Sequence, residues 1–207
     1  NIFNDRGKVS CVMRALSTNI PSFSQIGLPD SVQQLLQRPR GLMLVTGPTG
    51  SGKSTLINLL LGLHKPSSGK IETFYKNVGY VPQSIFLMDD TIINNVAYGL
   101  EENKIDINSV EECIRKSQLK EFTDKLPDGL RTIVGEKGVR ISGGELQRLG
   151  IARALYHKPD LLVFDEATNA LDEKTELVLV DLVKELSRNI TVIAISHNVK
   201  SLKYCSR

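Results

Sequence analysis

Gly47-Pro48-Thr49-Gly50-Ser51-Gly52-Lys53-Ser54-Thr55 follows the pattern G-x-x-x-x-G-K-[ST]. Glycines at these positions let backbone N–H groups curl around phosphate oxygens, and a helix opening directly afterwards adds a favourable dipole. In such a loop Lys53 reaches the β- and γ-phosphates of a nucleotide, and Ser54 sets its hydroxyl on Mg2+. An incidental glycine-rich turn would not need an apolar run before it and a helix-forming stretch after it, and both are present.

A pair of acids closes a second apolar run, Leu161-Leu162-Val163-Phe164-Asp165-Glu166. In an open α/β sheet ligands bind at the carboxyl ends of the strands, so Asp165 is placed to hold Mg2+ through water and Glu166 to polarise an attacking water. Alone, such carboxylates often just cap the next helix; beside a phosphate loop they divide the labour between metal and nucleophile. Ile141-Ser142-Gly143-Gly144-Glu145 precedes a helix-forming stretch. A Ser-Gly-Gly helix start is an anion site by the same physics as the first loop, or a simple N-cap. Gln83 and His197 each stand just past an apolar run, where groups that sense a γ-phosphate belong, although either by itself reads as a surface loop residue. His64 and His157 fall at expected helix ends and carry no such signal.

These side chains need a scaffold that presents them together. Compact apolar runs at 41–46, 78–81, 161–164 and 191–195 each suit a strand buried on both faces. Helix-forming stretches at 55–63, 109–122, 144–157 and 173–187 alternate with them, the last with Leu177, Val180, Leu182, Val183 and Leu186 as its apolar face. The alternation predicts an α/β fold around a mostly parallel central sheet. Ahead of it, residues 1–4 and 8–13 flank Asp5-Arg6-Gly7 as a β-hairpin, and a short helix is expected over 31–37 between Asp30 and Pro39.

The 207 residues, 41% hydrophobic, 24% charged and 5% aromatic, describe an ordinary globular chain able to bury a core without disulfides. The best apolar run, residues 56–63, contains Asn58 and falls well short of the roughly 18 residues of a membrane span. The opening lacks the basic-then-apolar order of a secretory signal. Cys11, Cys113 and Cys205 show no metal-ligand spacing, so reduced thiols and a cytoplasmic location are expected. A net charge of +3 is too small to argue for nucleic acid. Residues 1–46 carry Arg6, Lys8, Arg14, Arg38 and Arg40 against Asp5 and Asp30, whereas the rest is balanced, which marks a composition shift near residue 46.

Together these elements resemble the ATP-binding domain of ABC transporters over residues 47–207. The resemblance implies a P-loop ATPase fold with a helical subdomain near 84–157. It implies Gln83 as the Q-loop glutamine and, with Ser54 and Asp165, a Mg2+ ligand, Ile141 to Glu145 as the signature motif, Ala170-Leu171-Asp172 as the D-loop and His197 as the switch histidine. It also implies a nucleotide-dependent homodimer in which Ser142, Gly143, Gly144 and Asp172 meet ATP held by the partner, with transmembrane domains supplied by another chain. Leu126-Pro127-Asp128-Gly129, the run from Thr132 to Gly138, and Thr91-Ile92-Ile93-Asn94-Asn95-Val96 resemble the exporter branch, whose last-named segment touches the transmembrane coupling helices. The flavour is that of bacterial lipid or lipid-linked oligosaccharide exporters.

The family's pattern is not met throughout. Residues 9–55 resemble type IV pilus retraction and type II secretion ATPases, notably in Met13-Arg14, Ile20-Pro21-Ser22-Phe23 and the run from Arg40 to Gly50. Only Thr73 to Asn77 separate Glu72 from the strand at 78–81, where a longer segment is usual. The chain ends at Cys205-Ser206-Arg207, before the family's closing strands, and Glu145 replaces a glutamine. These features suggest a recombination of two P-loop proteins, engineered or natural, joined within or just beyond the phosphate loop. The aromatic residue that stacks on adenine is unassigned, with Phe3, Phe23 and Tyr75 as candidates. Three functions follow: an ATPase domain of ABC-exporter type, a hexameric pilus or secretion motor, and a recombined scaffold that binds nucleotide without useful turnover.

Overall fold

Sheet order explains which apolar runs are buried and which are not. The structure, a computed structural model, describes residues 2–5, 8–11, 40–48, 50–66, 75–136, 138–167 and 171–196. The expected opening hairpin is present as β1 (Ile2–Asp5) and β2 (Lys8–Cys11), antiparallel with Asp5 opposite Lys8. The expected helix at 31–37 lies outside the described residues. The main sheet is formed by β3 (Gly41–Thr46), β4 (Val78–Val81), β7 (Leu161–Asp165) and β8 (Thr191–Ser196). Its order is β3-β8-β7-β4, and all its pairings are parallel. A two-residue antiparallel pair, β5 (Asp90–Thr91) with β6 (Ile133–Val134), sits apart from it.

Burial on both faces holds for the two central strands, β7 and β8, and not for the outer two. β4 alternates, with Val78 and Tyr80 exposed and Gly79 and Val81 buried, and β3 is half-buried along most of its length. Neither outer strand has a further strand beside it among the described residues, and this position, not the residue types, sets its exposure. Alternate side chains of the central strands feed two cores. Leu161, Val163, Ile193 and Ile195 pack with Leu56, Ile57 and Leu60 of α1 (Lys53–Leu60). Leu162, Phe164 and Val192 belong to a larger core on the other face. That core holds residues of α2 (Ile92–Val96), α3 (Ile107–Lys116), α5 (Gly143–Tyr156) and α6 (Glu173–Leu186). Helices on both faces of a parallel sheet are the layered α/β arrangement expected.

Two helices differ from the sequence reading. The stretch 109–122 is divided into α3 and α4 (Lys120–Asp124), because Gln118 adopts a left-handed φ of 57°. Leu119 N–H then donates to the Ile114 carbonyl at 2.9 Å and closes α3 as a C-terminal cap. On α6 the inward face is Leu179, Leu182, Val183 and Leu186, whereas Leu177 is exposed.

One close approach fixes α5 on the sheet. A Cβ at Gly79 of β4 would lie 2.8 Å from the Ala154 carbonyl of α5 and 2.9 Å from Leu162 Cδ1. Gly79→Ala is therefore expected to destabilise the fold by about 1–3 kcal/mol, the usual range for overpacking a tight contact. Urea denaturation followed by circular dichroism checks this, and a midpoint unchanged from the parent would show that α5 can move away from β4.

Candidate active site

Because β3, β8, β7 and β4 run parallel, their carboxyl ends emerge on one edge. Thr46 is level with Ser196, Asp165 with Ile195, and Val81 with Phe164. The phosphate loop after β3, Glu166 after β7 and Pro82-Gln83 after β4 therefore leave the sheet on the same side. His197 and Thr49 lie outside the described residues, as does Ala170.

The phosphate loop is built by backbone conformation. Gly50 and Gly52 take left-handed φ values of 85° and 87°, and nothing lies within 4 Å of where a Cβ would stand at either. Such geometry suits glycine and leaves the concave side of the loop open to phosphate oxygens. Gly52 is also the N-cap of α1, so this helix starts at Lys53, two residues earlier than its apolar pattern indicated. Its first turn contributes N–H groups that have no partner within the helix. Lys53 is buried, and its Nζ donates to the carbonyls of Gly47 at 2.7 Å and Pro48 at 2.9 Å. The ammonium thus crosses the mouth of the loop. Ser51 N–H donates to the Pro48 carbonyl at 3.2 Å and tightens it; Ser54 is exposed at the helix start and Thr55 half-buried.

Asp165 ends β7, two strand spacings or about 10 Å from β3, with β8 between them. Tyr80 on β4 donates its phenol to Asp165 Oδ2 at 3.1 Å. Burial first, and then the charge and hydrogen bond of Asp165, push the Tyr80 phenol up to about 12. Glu166, half-buried, has a left-handed φ of 52°, and its N–H donates to the Ile195 carbonyl at 3.1 Å. Few non-glycine residues adopt this conformation, and such outliers cluster at functional sites. Hydroxyl and carboxylate oxygens on either side of an open phosphate cradle are a donor set that fits Mg2+ with phosphate and water. Among the described residues no cluster of three or more His, Cys, Asp or Glu offers an all-protein site.

The Ser142 turn stands elsewhere. Its helix α5 packs on the opposite face of the sheet from α1, the helix that the phosphate loop opens. Ser142 N-caps α5 in a capping box: its N–H and hydroxyl donate to Glu145 Oε2 at 2.9 and 2.6 Å, and Glu145 N–H returns to Ser142 Oγ at 3.4 Å. Gly144 is buried against Thr175 at the start of α6, where a Cβ would collide with the threonine methyl group, and Gly143 is exposed. Asp172 caps α6, accepting from Thr175 N–H at 3.0 Å and Thr175 Oγ1 at 2.7 Å, and these bonds hold its carboxyl below the usual range. Gln83 is exposed, and its carbonyl accepts from Gln147 Nε2 at 3.2 Å. Tyr75 is half-buried and packs on the α1-side core, while nothing is described of the Phe3 side chain or of Phe23. Sequence reasoning missed Tyr80, Gln147 and Arg153; only the alternation of β4 hinted that Tyr80 lies on one face with Val78.

Comparison with known proteins bears on this geometry. The family model described as ABC transporter matches residues 36–169. ABC transporter B family member 29, chloroplastic, of Arabidopsis thaliana is 40% identical over 175 residues, which is 79% of this chain and 28% of that protein. An ATP-dependent lipid A-core flippase of Ralstonia nicotianae is 35% identical over 179 residues, 80% of this chain and 30% of that one. The solved structure of a bacterial Atm1-family ABC exporter with ATP bound aligns with a TM-score of 0.66 at 34% identity, covering 78% of this chain and 30% of that chain. The chain thus spans less than a third of the length of these relatives.

Two outcomes follow from the site. Lys53→Met removes a charged donor from the phosphate loop and should weaken nucleotide binding on the order of 10–100-fold, measured by fluorescent-nucleotide titration. Asp165→Asn should lower the Tyr80 titration from about 12 without returning it to 10.0, because burial, its largest cause, remains. Since the folded-state value is raised, the stability linked to Tyr80 is complete below about pH 10 and declines as pH rises towards 12. Ultraviolet difference titration of parent and variant reads this directly.

Proposed function

Because the chain belongs to the ABC transporter family, as an ATP-binding and ATP-hydrolysing domain of exporter type, we propose that two copies close head to tail around two ATP molecules, each phosphate loop facing the partner's Ser142 turn. The observation that carries this reading is the separation within one chain. The phosphate loop opens α1 on one face of the sheet, and the Ser142 turn opens α5 on the other. Two anion-binding helix starts on opposite faces serve one nucleotide poorly, and serve two nucleotides between two copies well.

Lys53 and the loop N–H groups bind the β- and γ-phosphates, and Glu166 takes a proton from the attacking water as the bond between the γ-phosphorus and the bridging oxygen breaks. Gln83 and His197 orient the γ-phosphate and that water. Ser54, Gln83 and, through water, Asp165 would hold Mg2+, whose charge would offset that on the phosphate oxygens. Ser142 and Gly144 of the other copy complete the cage, and Asp172 borders it across the interface.

A groove of about 290 Å³ runs beside the Gln83 loop, lined by Ile85, Phe86, Val139, Ile141 and Leu146. Phe86 is 71% exposed, and Ile133 on neighbouring β6 is 54% exposed. This apolar surface is the proposed seat of a coupling segment from a transmembrane partner. Among the described residues no helix is long and apolar enough to cross a membrane itself. Through that partner the domain acts at a membrane, and a lipid-class cargo is the reading that the flippase relatives favour. The junction expected near residue 46 moves back, and only the residues ahead of the family match are proposed as a segment of separate origin. The ABC match itself extends back to residue 36.

Glu166→Gln is expected to lower steady-state ATP hydrolysis by roughly 10²–10⁴-fold and to hold an ATP-bound dimer visible by light scattering. The parent's specific rate should rise with protein concentration. An unchanged rate in the variant would remove Glu166 from the mechanism, and a concentration-independent parental rate would remove the dimer.

A further inference from the structure

One side chain at the nucleotide edge has no part in the mechanism above and yet touches it. Strand β4 pairs with β7 from Val78 opposite Leu161 to Val81 opposite Phe164, and the pairing stops there. Asp165, the last residue of β7, is level with Ile195 of β8 on one side and lies one position beyond the β4 ladder on the other. Its side chain continues the alternation of Leu161 and Val163, which pack against α1. From β4 the Tyr80 phenol reaches it and donates to Oδ2 at 3.1 Å.

Register decides which residue can do this. Tyr80 is paired with Val163, two residues before Asp165, so the two side chains share one face of the sheet along a diagonal of roughly 8 Å. An aromatic side chain spans such a diagonal and an aliphatic one does not. Phenylalanine would span it without a donor. Covering this face of β4 does not call for a hydroxyl, because Val78, two residues earlier on the same side, is as exposed as Tyr80 and carries no polar atom in its side chain. The hydroxyl answers to the carboxylate rather than to packing.

We propose that Tyr80 is a positioning residue for the metal in ATP hydrolysis, its hydroxyl holding Asp165 Oδ2 so that Oδ1 is set to accept from a water of the Mg2+–nucleotide complex. This role rests on Asp165 serving Mg2+ through water, as proposed above, and adds the residue that orients it. A carboxylate at the end of a strand turns about its own bonds. A hydrogen-bond partner removes that freedom in advance, so less ordering is needed when the nucleotide complex binds. Outer-shell partners of direct ligands matter roughly 10–100-fold to metal affinity; with a water between carboxylate and metal, about 3–10-fold is expected here.

The test uses Tyr80→Phe, which keeps the ring on β4 and removes only the donor, so the melting temperature should stay within roughly 4 °C of the parent. Binding of a fluorescent ATP analogue is titrated in EDTA and again with Mg2+, in a Glu166→Gln background that suppresses turnover. The dissociation constant in EDTA divided by that in Mg2+ equals, by linkage, the preference of Mg2+ for bound over free nucleotide. Tyr80→Phe should lower this ratio roughly 3–10-fold while leaving the value in EDTA unchanged. Asp165→Asn should lower the ratio at least as far, and adding Tyr80→Phe to it should change nothing more, because the phenol acts only through that carboxylate. Losses that multiply in the double variant would overturn the positioning role and leave Asp165 at the metal. So would a parental ratio in Tyr80→Phe beside a lowered one in Asp165→Asn. A parental ratio in Asp165→Asn would remove Asp165 from the metal, and Tyr80 with it.

Discussion

The site depends first on the register between β7 and β8. Leu161 to Asp165 pair with Thr191 to Ile195 in parallel, and both strands are buried on both faces. A slip of one residue would exchange the side chains facing α1 for those facing α5 and α6, so two differently shaped cores oppose it at once. With this register held, Asp165 ends the sheet beside Ile195, and β3 and β4 add on either side with their carboxyl ends at the same edge. Parallel pairing also requires crossovers, and the helices that cross over are the ones that carry the remaining functional turns.

Helix α5 answers to three constraints along its length. Its first turn is capped by Ser142 and Glu145, its middle holds the Gln83 loop, and its last turns lie against Gly79 of β4. Buried Gln147 and half-buried Arg153 reach backbone carbonyls 58 to 67 residues away in sequence. The surface ion pairs differ in kind. Lys104–Glu101, Lys116–Glu112 and Lys120–Asp124 are each local and largely exposed, and pairs of that sort contribute little.

Local features were legible in the sequence because their cause is local. The phosphate loop is a contiguous pattern whose glycines must be where they are, and the four strands and the limits of α5 and α6 follow from apolar runs and caps. Long-range features were not. Whether a run is central or outer depends on its neighbours in the sheet, so β3 and β4 read as fully buried and are not. The break at Gln118 has no glycine to announce it, and the choice of Leu179 over Leu177 on α6 turns on how the helix is rotated against Phe164 and Val192. The contacts of Tyr80, Gln147 and Arg153 cross from one segment to another, and no spacing within either segment encodes them. The Asp172 carboxylate, read as a nucleotide contact, also caps α6 through Thr175, a role that no reading of the motif announced.

The adjacent acids pose a geometric problem that the backbone solves. Along an extended strand successive side chains point to opposite faces, so Asp165 and Glu166 could not both serve one edge if β7 continued. The strand instead ends at Asp165, and the left-handed φ of 52° at Glu166 breaks the alternation where it would separate the two carboxyl groups. Such a conformation costs on the order of 1–3 kcal/mol in a non-glycine residue and persists only where the surroundings over-determine it. Here they do: Glu166 N–H is tied to the Ile195 carbonyl, Asp165 accepts from Tyr80, and Ala167, the next residue, is buried in the main core. A glycine at 166 would relieve the strain but would carry no carboxylate. The left-handed glutamate is the backbone feature on which the proposed role of this carboxyl group rests.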